Sequence, residues 1–341
     1  MENVDISTVF LHRAHKTEYI LKQYRPFYYS IIIHYWRAVT MNQLSICGLI
    51  ALQFLFYRLT IAAPNTTIDV SEVQYYFFDD NYHLMDESNI TILDNKTLIV
   101  LVHGFRSSPW TGVVADLGKT LVQWTDSNVV LVNWSKWTQK MDYTDVVLRL
   151  PTVATHLVDW LNGLRDRGIV QSFDNVTMIG HSLGAHLIGY VGHRLNGSIN
   201  RVIALDPAQP NFKDSQKNER VDVGSGQFVM ALHTSTMFLG LREPVGHVDF
   251  YFNGGHMQPS CNSDTVCGHV IVLNYLADSL KNSSEFKAYR CHTLSDCEKK
   301  IIDDKEPTIN MNIDIPNSTR GLYSIMPSKK NLKIYSRFFL K

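Results

Sequence analysis

From Thr97 the chain reads TLIVLVHGF, an apolar run without polar alternation, and similar runs recur as DSNVVLVNW at 126–134, from Val176 to Gly180, and as RVIALDP at 201–207. Unalternated runs of this length fit strands buried on both faces. Between them the period changes. A helix is expected over about 113–124 and another over about 183–195. In LPTVATHLVDWLNGLRDRG (150–168), Val153, Leu157, Leu161 and Leu164 share one helical face, with Pro151 near the start and Gly168 at the stop. Strands alternating with helices predict an α/β fold: a mostly parallel central sheet with helices on both faces. Working groups in such sheets collect at the carboxyl ends of strands, where His103, Ser182 and Asp206 fall.

One apolar run stands apart. In MNQLSICGLIALQFLFYRLTIAAP (41–64) an apolar core from Leu44 to Tyr57 precedes Ala62 and Ala63, the form of a secretory signal. It is shorter than the roughly 20 residues of a membrane span, and Arg58 interrupts it. Residues 1–40 carry no motif, so translation is expected to start at Met41. If Met1 is used, the same run reads as a signal-anchor that tethers the protein to a membrane. Residues 1–63 are therefore read as a leader and 64–341 as one domain, whose text turns polar and Pro-interrupted after Asp303.

Composition adds limits. With 45% hydrophobic and 19% charged residues among 341, the chain can bury a large core. Its formal net charge is zero, which offers no electrostatic footprint for nucleic acid. Removing residues 1–63 takes away six Lys/Arg and three Asp/Glu, leaving 26 minus 29, or −3. The cut also removes Cys47, leaving Cys261, Cys267, Cys291 and Cys297, an even set that reads as disulfides in a secreted chain. The close spacings favour Cys261–Cys267 and Cys291–Cys297. A zinc site with His256, His269 or His292 is the rival reading, but the usual ligand spacing is missing. Glycosylation sequons stand at Asn65, Asn89, Asn95, Asn133, Asn175, Asn196, Asn282 and Asn317. Those at Asn133 and Asn175 border expected strands and are the least expected to be used.

The candidate chemistry centres on Gly180-His181-Ser182-Leu183-Gly184, between a strand and a helix. A Gly-x-Ser-x-Gly turn there pushes a serine hydroxyl outward. Such a hydroxyl needs an imidazole to take its proton and a carboxylate to hold the imidazole, in the chain order Ser, acid, His. Asp206, at the end of VIALD, is the natural acid. The base lies among His233, His247, His256, His269 and His292, and spacing alone does not choose. His233 and His247 sit in apolar runs that suit core histidines, whereas His269 follows Cys267 closely, in a loop that a disulfide would pin. Backbone N–H groups of Leu183 and Phe105 are the expected oxyanion donors.

The motifs LVHGF, GHSLGAH, ALDPAQP, VGHVDFYFNGG and Cys-Gly-His at 267–269 resemble the pancreatic lipase-like family over about 72–330. LREPVGHVDFYFNGG and TRGLYSIMPSKK look most like its insect-type, phospholipase A1-related branch. The resemblance implies an α/β-hydrolase fold, Ser182 as nucleophile, Asp206 as acid, His269 as base, and Phe105 and Leu183 as the oxyanion hole. It implies a secreted serine esterase without cofactor, acting on phospholipid or another polar lipid at a membrane or micelle interface. The loop between Cys261 and Cys267 encloses only NSDTV, too short for a lid helix, and His233 to Gly246 is short as well. Both favour sn-1 phospholipid hydrolysis over a triacylglycerol or galactolipid lipase, and the kept serine disfavours a non-catalytic yolk-type lipid-binding or storage protein. In TMFLGLR, Met237, Phe238, Leu239 and Leu241 are candidates for contact with lipid. No C-terminal lipid-binding sandwich domain is expected, and so no colipase. Asn133 stands where many relatives have Asp, and Lys217, Arg220, Asp222 and Ser225 lack part of the family's acidic calcium set, so no metal is expected.

Overall fold

The computed structural model describes residues 73–78, 82–86, 96–302 and 305–327, all within one compact unit, Thr67–Lys341. The expected leader, the sequons at Asn65, Asn89 and Asn95, and the end of TRGLYSIMPSKK lie outside the described residues.

The four apolar runs form β3 (Thr97–Val102), β4 (Ser127–Asn133), β5 (Val176–His181) and β6 (Arg201–Leu205). They are joined by β7 (Phe228–His233), β8 (Val248–Phe252) and β11 (Gly321–Ile325) in a parallel block. Antiparallel strands flank it: β1 (Gln74–Phe78) and β2 (Leu84–Asp86) on one side, β9 (Lys287–Cys291) and β10 (Ile309–Asn310) on the other. Among the described residues the order is β10-β9-β11-β8-β7-β6-β5-β3-β4-β1-β2, eleven strands in one open sheet. This is the α/β-hydrolase architecture.

Strand geometry explains why the apolar runs do not alternate. Successive side chains point to opposite faces, so Leu98, Val100 and Val102 of β3 enter one core while Ile99 and Leu101 enter the other. Helices α3 (Tyr143–Asp166) and α4 (Leu183–Arg194) cover the first face, through Leu157, Leu161, Leu187 and Val191. Helices α1 (Gly112–Trp124) and α5 (Thr265–Lys281) cover the second, through Leu117, Leu121, Val272 and Leu276. Short helices α2 (Ser135–Lys140) and α6 (Leu294–Lys299) lie in connections.

Three boundaries differ from the sequence reading. Helix α3 starts at Tyr143, well before Pro151, because Val146 and Leu150 extend the same buried stripe. Pro151 lies inside the helix on a half-buried face, where the loss of one helical N–H is tolerated. The polar stretch after Asp303 contains β10 and β11; GLYSI is a strand because β8 and β9 pair with it on both sides. His269 lies in α5, not in a loop.

Cys261–Cys267 and Cys291–Cys297 are bonded, which removes both pairs from any zinc site. Among the described residues there is no group of three or more His, Cys, Asp and Glu able to hold a metal, and no helix long and apolar enough to cross a membrane. Asn133 is buried, with its amide donating to Gln74, whereas Asn175, Asn196, Asn282 and Asn317 are exposed.

Candidate active site

Strand β5 ends at His181 and α4 begins at Leu183, so Ser182 alone makes the reversal, with φ 55° and ψ −119°. A non-glycine residue holds such a conformation only where its surroundings enforce it. The flanking glycines allow that enforcement. A Cβ on Gly180 would lie 2.5 Å from the Gly184 oxygen, and one on Gly184 would lie 2.5 Å from the oxygens of both Val102 and His103. The exit of β3 therefore touches the start of α4, backbone against backbone. Ser182 N–H donates to the Leu205 oxygen at 2.9 Å, tying the turn to β6 as well.

Asp206 follows β6 and is fully buried. Its Oδ1 accepts from the N–H groups of Thr234 (2.7 Å) and Ser235 (3.1 Å), and its Oδ2 accepts from Ser235 Oγ and from His269 Nδ1 (2.5 Å). Burial opposes the charged carboxylate. The hydrogen bond and charge of His269, joined by Ser235 and Thr234, outweigh it and hold Asp206 below the usual carboxylate range.

His269 completes the row, with Nε2 2.7 Å from Ser182 Oγ. An acceptor at Nδ1 keeps the neutral ring's proton there, so the Nε2 lone pair faces the hydroxyl. The ring is positioned by the first turns of α5, not by a loop. Asp264 caps that helix by accepting from Val266 N–H (2.9 Å) and Cys267 N–H (3.1 Å), and the Cys261–Cys267 bond ties its first turn to the preceding bend. Ser182, Asp206 and His269 thus come from three separate elements into one hydrogen-bonded line.

Neutral histidines frame this line. His181 Nε2 donates to the His269 oxygen at 2.9 Å, and burial, with His269 alongside, pushes its pKa down to about 3. His103 is pushed down to about 4 by burial, although its bond to Gly104 pulls the other way. Its Nδ1 donates to the Gly104 oxygen at 2.9 Å. In a planar trans peptide the next N–H points opposite to that carbonyl, so this bond fixes the direction of Phe105 N–H. A Cβ on Gly104 would lie 2.9 Å from Ser182 Cβ, which sets this peptide beside the serine. Leu183, the first residue of α4, has no intrahelical acceptor for its N–H.

The other candidate histidines are engaged elsewhere. His233 is buried, with Nδ1 on the Leu241 oxygen (3.0 Å) and Nε2 on Asp249 Oδ1 (2.9 Å). His247 Nδ1 accepts from Val229 N–H at 2.9 Å, and His256 Nδ1 bonds Thr236 Oγ1 at 3.1 Å. His292 lies in the Cys291–Cys297 loop.

Two contributors had no signal in the sequence. Ser235 is an ordinary serine after a strand, yet it donates to Asp206 and stands 3.2 Å from His269 Nδ1. Gly240 folds back on Asp206; a Cβ there would lie 2.5 Å from Oδ1. Between them, Met237 and Phe238 are about half exposed, as are Met257 and Val266, while Leu241 is buried in the core and unavailable to a lipid surface. The Cys261–Cys267 loop is a tight bend through Asn262 and Ser263, both at positive φ, that runs directly into the first turn of α5 at Thr265 and holds no separate helix.

The Lipase family matches residues 72–301. "Lipase member H" of Oryctolagus cuniculus is 34% identical over 229 residues, covering 63% of this chain and 50% of the relative. "Phospholipase A1 member A" of Rattus norvegicus is 31% identical over 252 residues, covering 69% and 53%. "Pancreatic lipase-related protein 2" of Cavia porcellus is 31% identical over 224 residues, covering 62% and 51%. The chain spans about half the length of these curated relatives. With the family matched across the sheet from β1 to the end of α6, and with the serine turn inside that match, the chain belongs to the lipase family.

Proposed function

We propose that the protein is a secreted serine ester hydrolase of lipids that releases the sn-1 acyl chain of phospholipids. The observation that carries the hydrolase reading is the line Ser182 Oγ, His269 Nε2, His269 Nδ1, Asp206 Oδ2. Ser182 Oγ attacks the ester carbonyl while His269 Nε2 takes its proton, and Asp206 stabilises the imidazolium that forms. The negative oxygen of the tetrahedral intermediate is met by the N–H groups of Phe105 and Leu183. His269 then protonates the departing glycerol oxygen, and water, activated by the same nitrogen, hydrolyses the acyl-enzyme.

The substrate class rests on the loops and on one relative. A five-residue disulfide loop and a helix-free segment from Thr234 to Gly246 leave the serine side open to a polar headgroup. The name of the rat relative, "Phospholipase A1 member A", points the same way. Two disulfides fit an oxidising compartment, in keeping with secretion.

The test is product analysis by mass after incubation with a phospholipid bearing different sn-1 and sn-2 chains, beside a triacylglycerol emulsion. Release of the sn-1 chain alone is expected. Fatty acid from triacylglycerol only replaces the phospholipase reading with a neutral-lipid one, and no product from either replaces catalysis with lipid carriage.

A further inference from the structure

The turn that follows β3 carries a feature that ester hydrolysis does not use. Arg106 is exposed and has φ 54°, a left-handed conformation that a long side chain rarely adopts. Its guanidinium carbon lies 5.3 Å from the centroid of the Phe105 ring. That ring is fixed in turn: the Tyr143 ring meets it edge-on at 5.2 Å and 89°, and Tyr143 Oη donates to the Pro210 oxygen at 3.0 Å. Among the described residues, no carboxylate lies within 4.0 Å of the Arg106 guanidinium. The result is a positioned cation on an aromatic face, without an anionic partner, at the second residue after the glycine that abuts Ser182.

We infer that Arg106 is the headgroup-selecting residue of the site and binds the phosphate diester of the phospholipid whose sn-1 ester is on Ser182. This rests on the phospholipase reading above. The guanidinium fork matches phosphate oxygens in a paired geometry that an ammonium does not reproduce. In a glycerophospholipid the phosphate is a few bonds from the sn-1 ester oxygen. Arg106 is two residues from Gly104, at most about 7 Å along the backbone, so one arginine side chain covers the remaining span. The strained backbone directs the side chain onto the Phe105 ring, and the ring holds it in an orientation paid for before substrate arrives, which reduces the ordering needed on binding.

The test uses the secreted protein and short-chain substrates below their micelle concentrations, so that no lipid surface contributes. A diacyl phosphatidylcholine is compared with the diacylglycerol of the same acyl chains, for the wild type, Arg106→Gln and Arg106→Lys. In Arg106→Gln the ratio of kcat/KM for phospholipid to kcat/KM for diacylglycerol falls about tenfold, chiefly through KM of the phospholipid. Arg106→Lys recovers part of that ratio, because it restores charge without the fork. Turnover of diacylglycerol by each variant shows that it has folded. An unchanged ratio in Arg106→Gln overturns the inference, as do equal losses on both substrates, which mean that Arg106 shapes the turn. A wild type that hydrolyses only diacylglycerol removes the phospholipase reading and the inference together. One that hydrolyses phospholipid with an unchanged variant ratio removes the inference alone.

Discussion

Ser235 and His269 donate to the same oxygen, Oδ2 of Asp206, and their own polar atoms stand 3.2 Å apart. The acid is therefore gripped from β7's exit loop as well as from α5. Ser235→Ala removes one donor to a buried charge, worth about 1.5–3 kcal/mol. Hydrolysis of a soluble ester is expected to fall about tenfold in kcat, and Ser235→Thr should restore part of it. Full activity in Ser235→Ala, measured across pH, refutes the coupling.

Ser182→Ala leaves the turn intact but removes the hydroxyl proposed above as the nucleophile. Loss of ester hydrolysis on the order of 10⁵- to 10⁶-fold is expected, with secretion and the thermal midpoint close to wild type. Residual turnover near the wild-type rate places the chemistry on another residue.

Three buried histidines set the response to acid. His103 is held at about 4, and His181 and His186 at about 3, each mainly by burial. Unfolded, each has a pKa near 6.5. Below 6.5 the unfolded chain binds protons that the folded one refuses, so stability falls as pH drops from about 6.5 towards 4, by up to about 1.4 kcal/mol per pH unit for each histidine. Asp206, whose folded pKa is lowered, adds its loss only at still lower pH. Denaturant melts at stepped pH check this; a flat midpoint between pH 6.5 and 4.5 contradicts it.

The buried pair His233–Asp249 anchors the loop that Ser235 begins. Asp249 also accepts from the N–H groups of Val245 and Gly246. Asp249→Ala leaves those donors and His233 Nε2 without their partner, and a loss of about 3–5 kcal/mol is expected in urea unfolding. A loss under 1 kcal/mol means that water or repacking satisfies the site.

The disulfides differ in reach. Each closes a short loop and contributes about 2 kcal/mol in the chain-entropy picture. Only Cys261–Cys267 borders the helix turn that carries His269. Replacing both of its cysteines with Ala should lower kcat as well as the thermal midpoint, whereas the same change at Cys291 and Cys297 should lower the midpoint alone. Equal kinetic effects argue against a positioning role.

The buried strands β3 to β6 and the serine turn are legible in sequence because their signals are local: long apolar runs, and two glycines spaced about one serine. Ser235 carries no such signal, since its meaning comes from Asp206, which lies 29 positions away in sequence. β11 was hidden for the same reason, as its partners β8 and β9 are distant in the chain. Pro151 misled because a proline commonly opens a helix, while here the buried stripe on either side of it outweighs one lost hydrogen bond. The placement of His269 turned on the Asp264 cap, a start signal overshadowed by the neighbouring cysteines.

Because β11 lies between β8 and β9, the order of biosynthesis runs against the order of the sheet. Until Gly321–Ile325 leaves the ribosome, β8 presents an open edge beside β7, and β9 has nothing to pair with on that side. A nascent chain halted before Gly321 therefore carries an exposed strand edge, a template for pairing with other chains. Termination between Lys281 and Gly321 leaves every residue of the Ser182, Asp206 and His269 line already translated, yet it is expected to yield aggregate instead of a smaller folded chain.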